Sequence, residues 1–259
     1  MTTNSGAVPA FEVDSATFGY GPDPTLRDID LVIDQREFVA VLGTNGSGKS
    51  TLMRGLLGLL PARSGQVRIL GTPVADFRAW SSLAYVPQRL LTAGAVPVSV
   101  GEVVGTARVR GWGARMRRSD RDACQRALEA VGLPHAARLR FDGLSGGQQR
   151  RVMVAQALAK DARIFVLDEP TAGVDGEAQE QLARVFADLR VAGATVLLVT
   201  HELGVFSSLV TRAIVMHAGR HDGVAFDGPP PPPGHYEDAA WHHGAEIEPH
   251  DHQPGILEP

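Results

Sequence analysis

From residue 38 onward, short apolar runs alternate with segments of helical spacing, and that alternation predicts an α/β fold on a mostly parallel sheet. Two further observations refine it. The residues before that point hold two short runs of mixed alternation, separated by Gly21-Pro22-Asp23-Pro24, which reads as an antiparallel β subdomain. Between Gln88 and Leu144 the composition shifts to arginine-rich helical patterns with few strand formers, which reads as an inserted helical subdomain at about 89–143.

Taken in order, Phe11 to Phe18 and Ile29 to Ile33 are the two opening strands. Phe38 to Leu42 is a continuous apolar strand that runs into a glycine-rich loop, and Lys49 to Leu60 follows as a helix stopped by Pro61. Leu83 to Val86 is a further apolar strand. Helical patterns then cover Val100 to Val109 and Asp120 to Val131. Gly146 to Ala159 is a helix, Arg163 to Leu167 a buried strand, Gly176 to Val191 a helix and Thr195 to Thr200 a strand. Past Phe226 come five consecutive prolines, 229–233, expected as a polyproline II spacer, and then a polar stretch rich in histidine and acid. The expected organisation is a flexible start at 1–10, one domain at 11–227 and a flexible tail at 228–259.

Composition sets limits. A chain of 259 residues is long enough to bury a substantial core. With 25 lysines and arginines against 29 acids the formal charge is −4, so no basic excess points to nucleic acid as a partner. The single cysteine, Cys124, excludes an internal disulfide framework and falls in a helical stretch, where a buried, inert thiol is expected. That fits a cytosolic setting, and the start has neither a basic n-region nor an apolar h-region, so no export is expected. The longest apolar runs are far shorter than the roughly 20 residues a spanning helix needs, so any work at a membrane relies on another chain to cross it.

The chemistry lies in five segments. Gly43-Thr44-Asn45-Gly46-Ser47-Gly48-Lys49-Ser50, followed by Thr51, is a phosphate-binding loop between a strand and a helix. Its backbone amides and the helix N-terminus favour an anion, and Lys49 supplies a mobile positive charge. Gln88 follows an apolar strand, and so does His201, the position where open α/β sheets present ligands. Asp168 closes a third apolar strand. Glu169 adjoins it and precedes Pro170, so the chain leaves the strand at once and both acids can face a nucleotide. Leu144-Ser145-Gly146-Gly147-Gln148 is a second glycine-rich stretch opening a helix, and so a second anion site.

In this order the five segments resemble those of ATP-binding-cassette (ABC) transporter ATPases, and the likeness runs from about Phe11 to Phe226. The resemblance implies a P-loop NTPase of the ABC ATPase type that binds ATP with Mg²⁺ on the cytoplasmic face of the cell membrane. It implies that Ser50, Gln88 and Asp168 hold the metal, that Glu169 activates water, and that His201 contacts the γ-phosphate. Ser145 to Gln148 would complete the partner's site in an ATP-dependent head-to-tail homodimer. Asp175, in Ala172-Gly173-Val174-Asp175, would couple the two sites, and Tyr20 would stack on adenine. The helical subdomain would touch a transmembrane permease. Two departures are visible: Thr44 stands where the family commonly has proline, and Arg36 where a turn glycine is usual.

Tyr85-Val86-Pro87-Gln88, Val96-Pro97-Val98-Ser99-Val100 and Pro170 to Asp175 resemble the zinc and manganese import branch, which would add an extracytoplasmic metal-binding protein as an indirect partner. The tail histidines at 217, 221, 235, 242, 243, 250 and 252 lie among carboxylates. His242, His243, His250 and His252 are candidate Zn²⁺ ligands, since imidazole suits Zn²⁺ better than Mn²⁺. A merely solvated tail is the alternative. An iron-chelate transporter or a non-transport cassette ATPase also stays open as a reading of the whole chain.

Overall fold

The computed structural model describes residues 7–88, 97–109, 115–216 and 224–228. Strands β1 (Phe11–Phe18) and β2 (Leu26–Ile33) pair antiparallel, with Phe11 opposite Ile33 and Phe18 opposite Leu26. β2 begins earlier than the expected Ile29 because Leu26 is itself fully buried opposite Phe18. β3 (Phe38–Gly43) is buried through Leu42 and feeds the glycine loop and helix α1 (Lys49–Leu56). The turn before β3 needs a left-handed residue, and Arg36 supplies it with φ 69 although it is not glycine.

Helix α1 stops at Leu56, short of the expected Leu60. Gly58 turns left-handed with φ 67, and the amides of Leu59 and Leu60 both return to the Arg54 carbonyl, at 2.8 and 3.0 Å. The glycine closes the helix before the proline can. β4 (Ser64–Ile69) and the short β5 (Thr72–Pro73) complete an antiparallel sheet in the order β2-β1-β4-β5. The first half of β4 is exposed Ser-Gly-Gln, which masks the strand in a pattern reading, and only Val67 and Ile69 bury.

β6 (Leu83–Val86) precedes three helices: α2 (Val100–Gly105), α3 (Arg118–Ala130) and α4 (Gly146–Ala159). A capping box starts α2, with Ser99 Oγ accepting from the Glu102 amide and Glu102 returning to the Ser99 amide. α2 ends before the expected Val109, and Thr106 turns its hydroxyl back to the Val103 carbonyl at 2.7 Å. β7 (Ile164–Asp168), α5 (Gly176–Val191), β8 (Thr195–Val199), β9 (Arg212–Met216) and β10 (Val224–Gly228) follow.

The main sheet runs β10-β9-β3-β8-β7-β6 and is parallel except for β10 at its edge. Its alternation sorts side chains into two cores. Val39, Val41, Val166 and Val199 join β1, β2 and α1 on one face; Ala40, Leu42, Leu167 and Leu198 join α2 to α5 on the other. Cys124 is buried on α3 with a free thiol, whose pKa burial pushes up. The proline run 229–233 and the histidines at 217, 221, 235, 242, 243, 250 and 252 lie outside the described residues.

Candidate functional site

Because β3, β8, β7 and β6 are adjacent and parallel, their carboxyl ends share one edge of the sheet. Gly43 closes β3 and Asp168 closes β7, while Gln88 and His201 follow β6 and β8. These ends form a cleft of about 210 Å³ lined by Asn45 to Thr51, Gln88, Asp168 and Glu169, together with Thr25 from the turn just before β2. Thr25 lacks any sequence signal, since only the fold brings that turn to the loop.

Gly48 sits at the N-cap of α1 with φ 98, a left-handed conformation that lets the loop wrap before the helix starts. Ser47 Oγ is buried in the loop without a partner, an unspent donor that fits a phosphate oxygen. Lys49 is only 8% exposed, and its ammonium folds back onto the carbonyls of Gly43 at 2.5 Å and Thr44 at 2.9 Å. Burial holds its pKa below the usual lysine range, while the charges of Glu169 and Asp168 pull it up. Neutral carbonyls offer the ammonium no opposite charge, whereas a phosphate does, so an arriving nucleotide can displace these two bonds.

Asp168 is 6% exposed. Burial, and then the adjacent Glu169 charge, push its carboxyl above the usual aspartate range, against Lys49 and Arg150 pulling down. A buried carboxylate so penalised is a ready ligand for a divalent cation. Asp168, the Ser50 hydroxyl and the Gln88 amide oxygen are hard oxygen donors of the kind Mg²⁺ takes.

Glu169 leaves the strand through a left-handed backbone, φ 49, with its amide donating to the Val199 carbonyl at 2.8 Å. Its Oε2 accepts from Gln88 Nε2 at 2.7 Å, and its Oε1 stands 3.9 Å from His201 Nδ1. Gln88, Glu169 and His201 thus gather around one point beside the loop. Arg150, which has no local signal in sequence, donates to the carbonyls of Glu169 and Gln88. Tyr20 is 62% exposed and lies outside the cleft's lining. Arg54 of α1 steadies it, donating to its hydroxyl at 2.7 Å with the guanidinium carbon 5.9 Å from the ring centroid.

The second glycine-rich stretch does not join the cleft of its own chain. Ser145 caps α4, its Oγ accepting from the Gln148 amide at 3.3 Å while Gln148 Oε1 accepts from the Ser145 amide at 3.0 Å. Gly146 is open to solvent, and at Gly147 a Cβ would fall 2.5 Å from the Gly173 carbonyl, so only glycine lets the two turns meet. Asp175 caps α5, accepting from the Ala178 amide at 3.0 Å.

A glycine loop at the carboxyl edge of a parallel sheet, with a buried lysine and two adjacent acids facing it, defines a P-loop nucleoside triphosphatase. The sequence pattern of the ABC transporter family matches residues 26–172, and the chain belongs to that family. It is an ATPase that uses ATP and Mg²⁺, and such subunits form dimers and work with a transmembrane permease. It is 35% identical over 219 residues to the zinc transport system ATP-binding protein TroB of Treponema pallidum, covering 84% of this chain and 82% of the relative. It is 36% identical over 208 residues to the manganese transport system ATP-binding protein MntB of Bacillus subtilis, covering 80% and 82%. The dimeric structure of a bacterial ABC transporter cassette superposes with a TM-score of 0.73 at 26% identity, covering 85% of this chain and 98% of that one.

Proposed function

We propose that this chain is the ATP-hydrolysing subunit of a divalent-metal importer, carrying zinc or manganese, and that it acts as a head-to-tail dimer on the cytoplasmic face of the membrane. The observation that carries the substrate reading is the likeness to zinc and manganese transport subunits along most of both chains. No helix among the described residues is long and apolar enough to cross a membrane, so the path for the metal belongs to the permease.

In the proposed cycle the Asn45 to Thr51 loop and Lys49 bind the phosphates, and Tyr20 stacks on adenine. Ser50, Gln88 and Asp168 would hold Mg²⁺, which would supply charge neutralisation to the phosphates. Glu169 takes a proton from the attacking water, fixed in place by Gln88, and His201 orients the γ-phosphate. Ser145 to Gln148 contact the nucleotide of the partner, and the contact of Gly147 with Gly173 links that stretch to Asp175. The separation of this stretch from its own cleft supports the head-to-tail arrangement, because a second chain can then supply it.

The permease contact is assigned to the lobe of α2 and α3. A cleft of about 610 Å³ between the segment that follows α2, the end of α4 and β6 supports this, with the exposed Leu59, Trp80 and Val109 on its walls. An extracytoplasmic binding protein would deliver the metal to the permease. His242, His243, His250 and His252 are proposed as a Zn²⁺ site in the tail.

The test is uptake by proteoliposomes holding this chain and its permease, with ATP inside and Zn²⁺, Mn²⁺ or an iron chelate offered outside on the extracytoplasmic binding protein. ATP-dependent accumulation of Zn²⁺ or Mn²⁺ is expected. Uptake of the chelate alone would transfer the chain to the iron-chelate reading.

A further inference from the structure

Arg150 lies on α4, two residues past the Leu144 to Gln148 stretch, and its guanidinium leaves the helix to reach two loops remote in sequence. Nη1 donates to the Glu169 carbonyl at 2.7 Å and Nη2 to the Gln88 carbonyl at 2.9 Å. Gln88 Nε2 closes the ring on Glu169 Oε2 at 2.7 Å. Three segments that share no secondary structure are thereby locked together by one side chain.

Stability alone is a poor reason for this arrangement. Arg150 is half-buried, its Nε is buried without a partner, and among the described residues it makes no ion pair within 4.0 Å. Burial lowers its pKa, against the charges of Glu169 and Asp168. A desolvated guanidinium that receives only carbonyls in return is costly, whereas its rigid planar fork suits the holding of two acceptors at a fixed separation.

What the fork holds is a strained point. Glu169 is a non-glycine residue at φ 49, pinned on one side by its amide bond to Val199 and on the other by Arg150. Release of the carbonyl side lets this peptide relax and carries the carboxylate away from Gln88.

We infer that Arg150 is a positioning residue of the hydrolytic site, clamping the backbones of Gln88 and Glu169 and tying both to the helix that begins at Ser145. Movement of α4 at the dimer interface then reaches the Glu169 peptide through a single guanidinium. The inference rests on the proposed role of Glu169 in activating water.

The test uses the full-length protein with Arg150→Lys and Arg150→Met, each alone and combined with Glu169→Gln. Steady-state phosphate release gives kcat and KM, and a fluorescent ATP analogue reports binding. Arg150→Lys keeps the charge but cannot span both carbonyls, so both variants are expected to lose about 10- to 100-fold in kcat, the scale of a displaced catalytic group. KM should stay within about twofold, since Arg150 makes no contact with the phosphate loop. In the Glu169→Gln background the same changes should lower the residual rate clearly less than they lower the wild-type rate, because one of the two groups they position is already disabled and only the share of Gln88 remains to be lost.

Wild-type kcat in Arg150→Lys, or a full additional loss on top of Glu169→Gln, overturns the inference. If Arg150→Met does not fold, as judged by circular dichroism, Arg150→Lys decides alone. Should Glu169→Gln itself turn over normally, the reading of Glu169 falls first and the positioning role with it.

Discussion

Replacing Glu169 by glutamine tests its carboxylate. The two side chains have nearly the same volume, and the native carboxylate is held by Gln88 through Oε2 at 2.7 Å. A glutamine at 169 keeps that bond by turning its carbonyl oxygen to Gln88, so its position survives. Its amino group then stands where Oε1 stood, 3.9 Å from His201 Nδ1, presenting a donor in place of a proton acceptor. Proton acceptance is lost, together with the negative charge that acts on Lys49 and Asp168. General-base catalysis contributes about 10²–10⁴ in rate, and at about 1.36 kcal/mol per decade the barrier rises by about 2.7–5.4 kcal/mol. Lys49 keeps its bonds to Gly43 and Thr44, so ATP binding is expected to persist. Phosphate release with Mg-ATP measures the loss, and size-exclusion chromatography with ATP should show the dimer accumulating. Wild-type turnover, or a fall in turnover that merely follows a loss of ATP binding, refutes the reasoning.

Co-expression of a Ser145→Arg chain with a Lys49→Ala chain should give mixed dimers in which both lesions fall in one composite site. The other site stays intact, and mixed dimers unable to bind ATP there would rule out the head-to-tail arrangement. Asp168→Asn should raise the melting temperature of the nucleotide-free protein at neutral pH, by roughly 2–4 °C per kcal/mol recovered. The sign follows from a folded-state pKa held above its unfolded value by burial: Asp168 contributes stability below the unfolded value and loses it as pH rises through the folded one. The gain should therefore shrink as pH falls into the carboxylate range, and a pH-independent difference in scanning fluorimetry would contradict it. Replacing His242, His243, His250 and His252 together by alanine in the full-length protein should abolish calorimetric Zn²⁺ binding and leave ATP hydrolysis unchanged. In the native tail that binding should weaken as pH falls through about 6.5. Undiminished Zn²⁺ binding by the variant leaves the tail as solvated chain.

Much of the local structure was legible because its causes are local. Helices α4 and α5 start where Ser145 and Asp175 cap them, and both run over the expected residues because caps and periodicity act within a turn or two. The glycine loop was legible for the same reason: strand, loop and helix are contiguous in the chain. The end of α1 is less legible because two stop signals, Gly58 and Pro61, lie close together, and the left-handed turn at Gly58 closes the helix first. β4 is not legible in the sequence because its exposed half carries no alternation.

The chemical groups were named by residue type and order, but their meeting is a property of the sheet. Gln88 and Glu169 are 81 positions apart and touch only because β6 and β7 pair in parallel, Val86 opposite Leu167. Arg150 and Arg54 carry no mark in sequence that separates them from solvent-facing arginines. What distinguishes them is the partner each finds across the fold, two loop carbonyls for one and the Tyr20 ring for the other. Residue order determined which groups the chain owns and where its helices start, since those depend on neighbours a few residues away. Strand order and register decided which groups share a cleft and which arginine holds them, since hydrogen bonds between distant segments form only once the sheet has assembled.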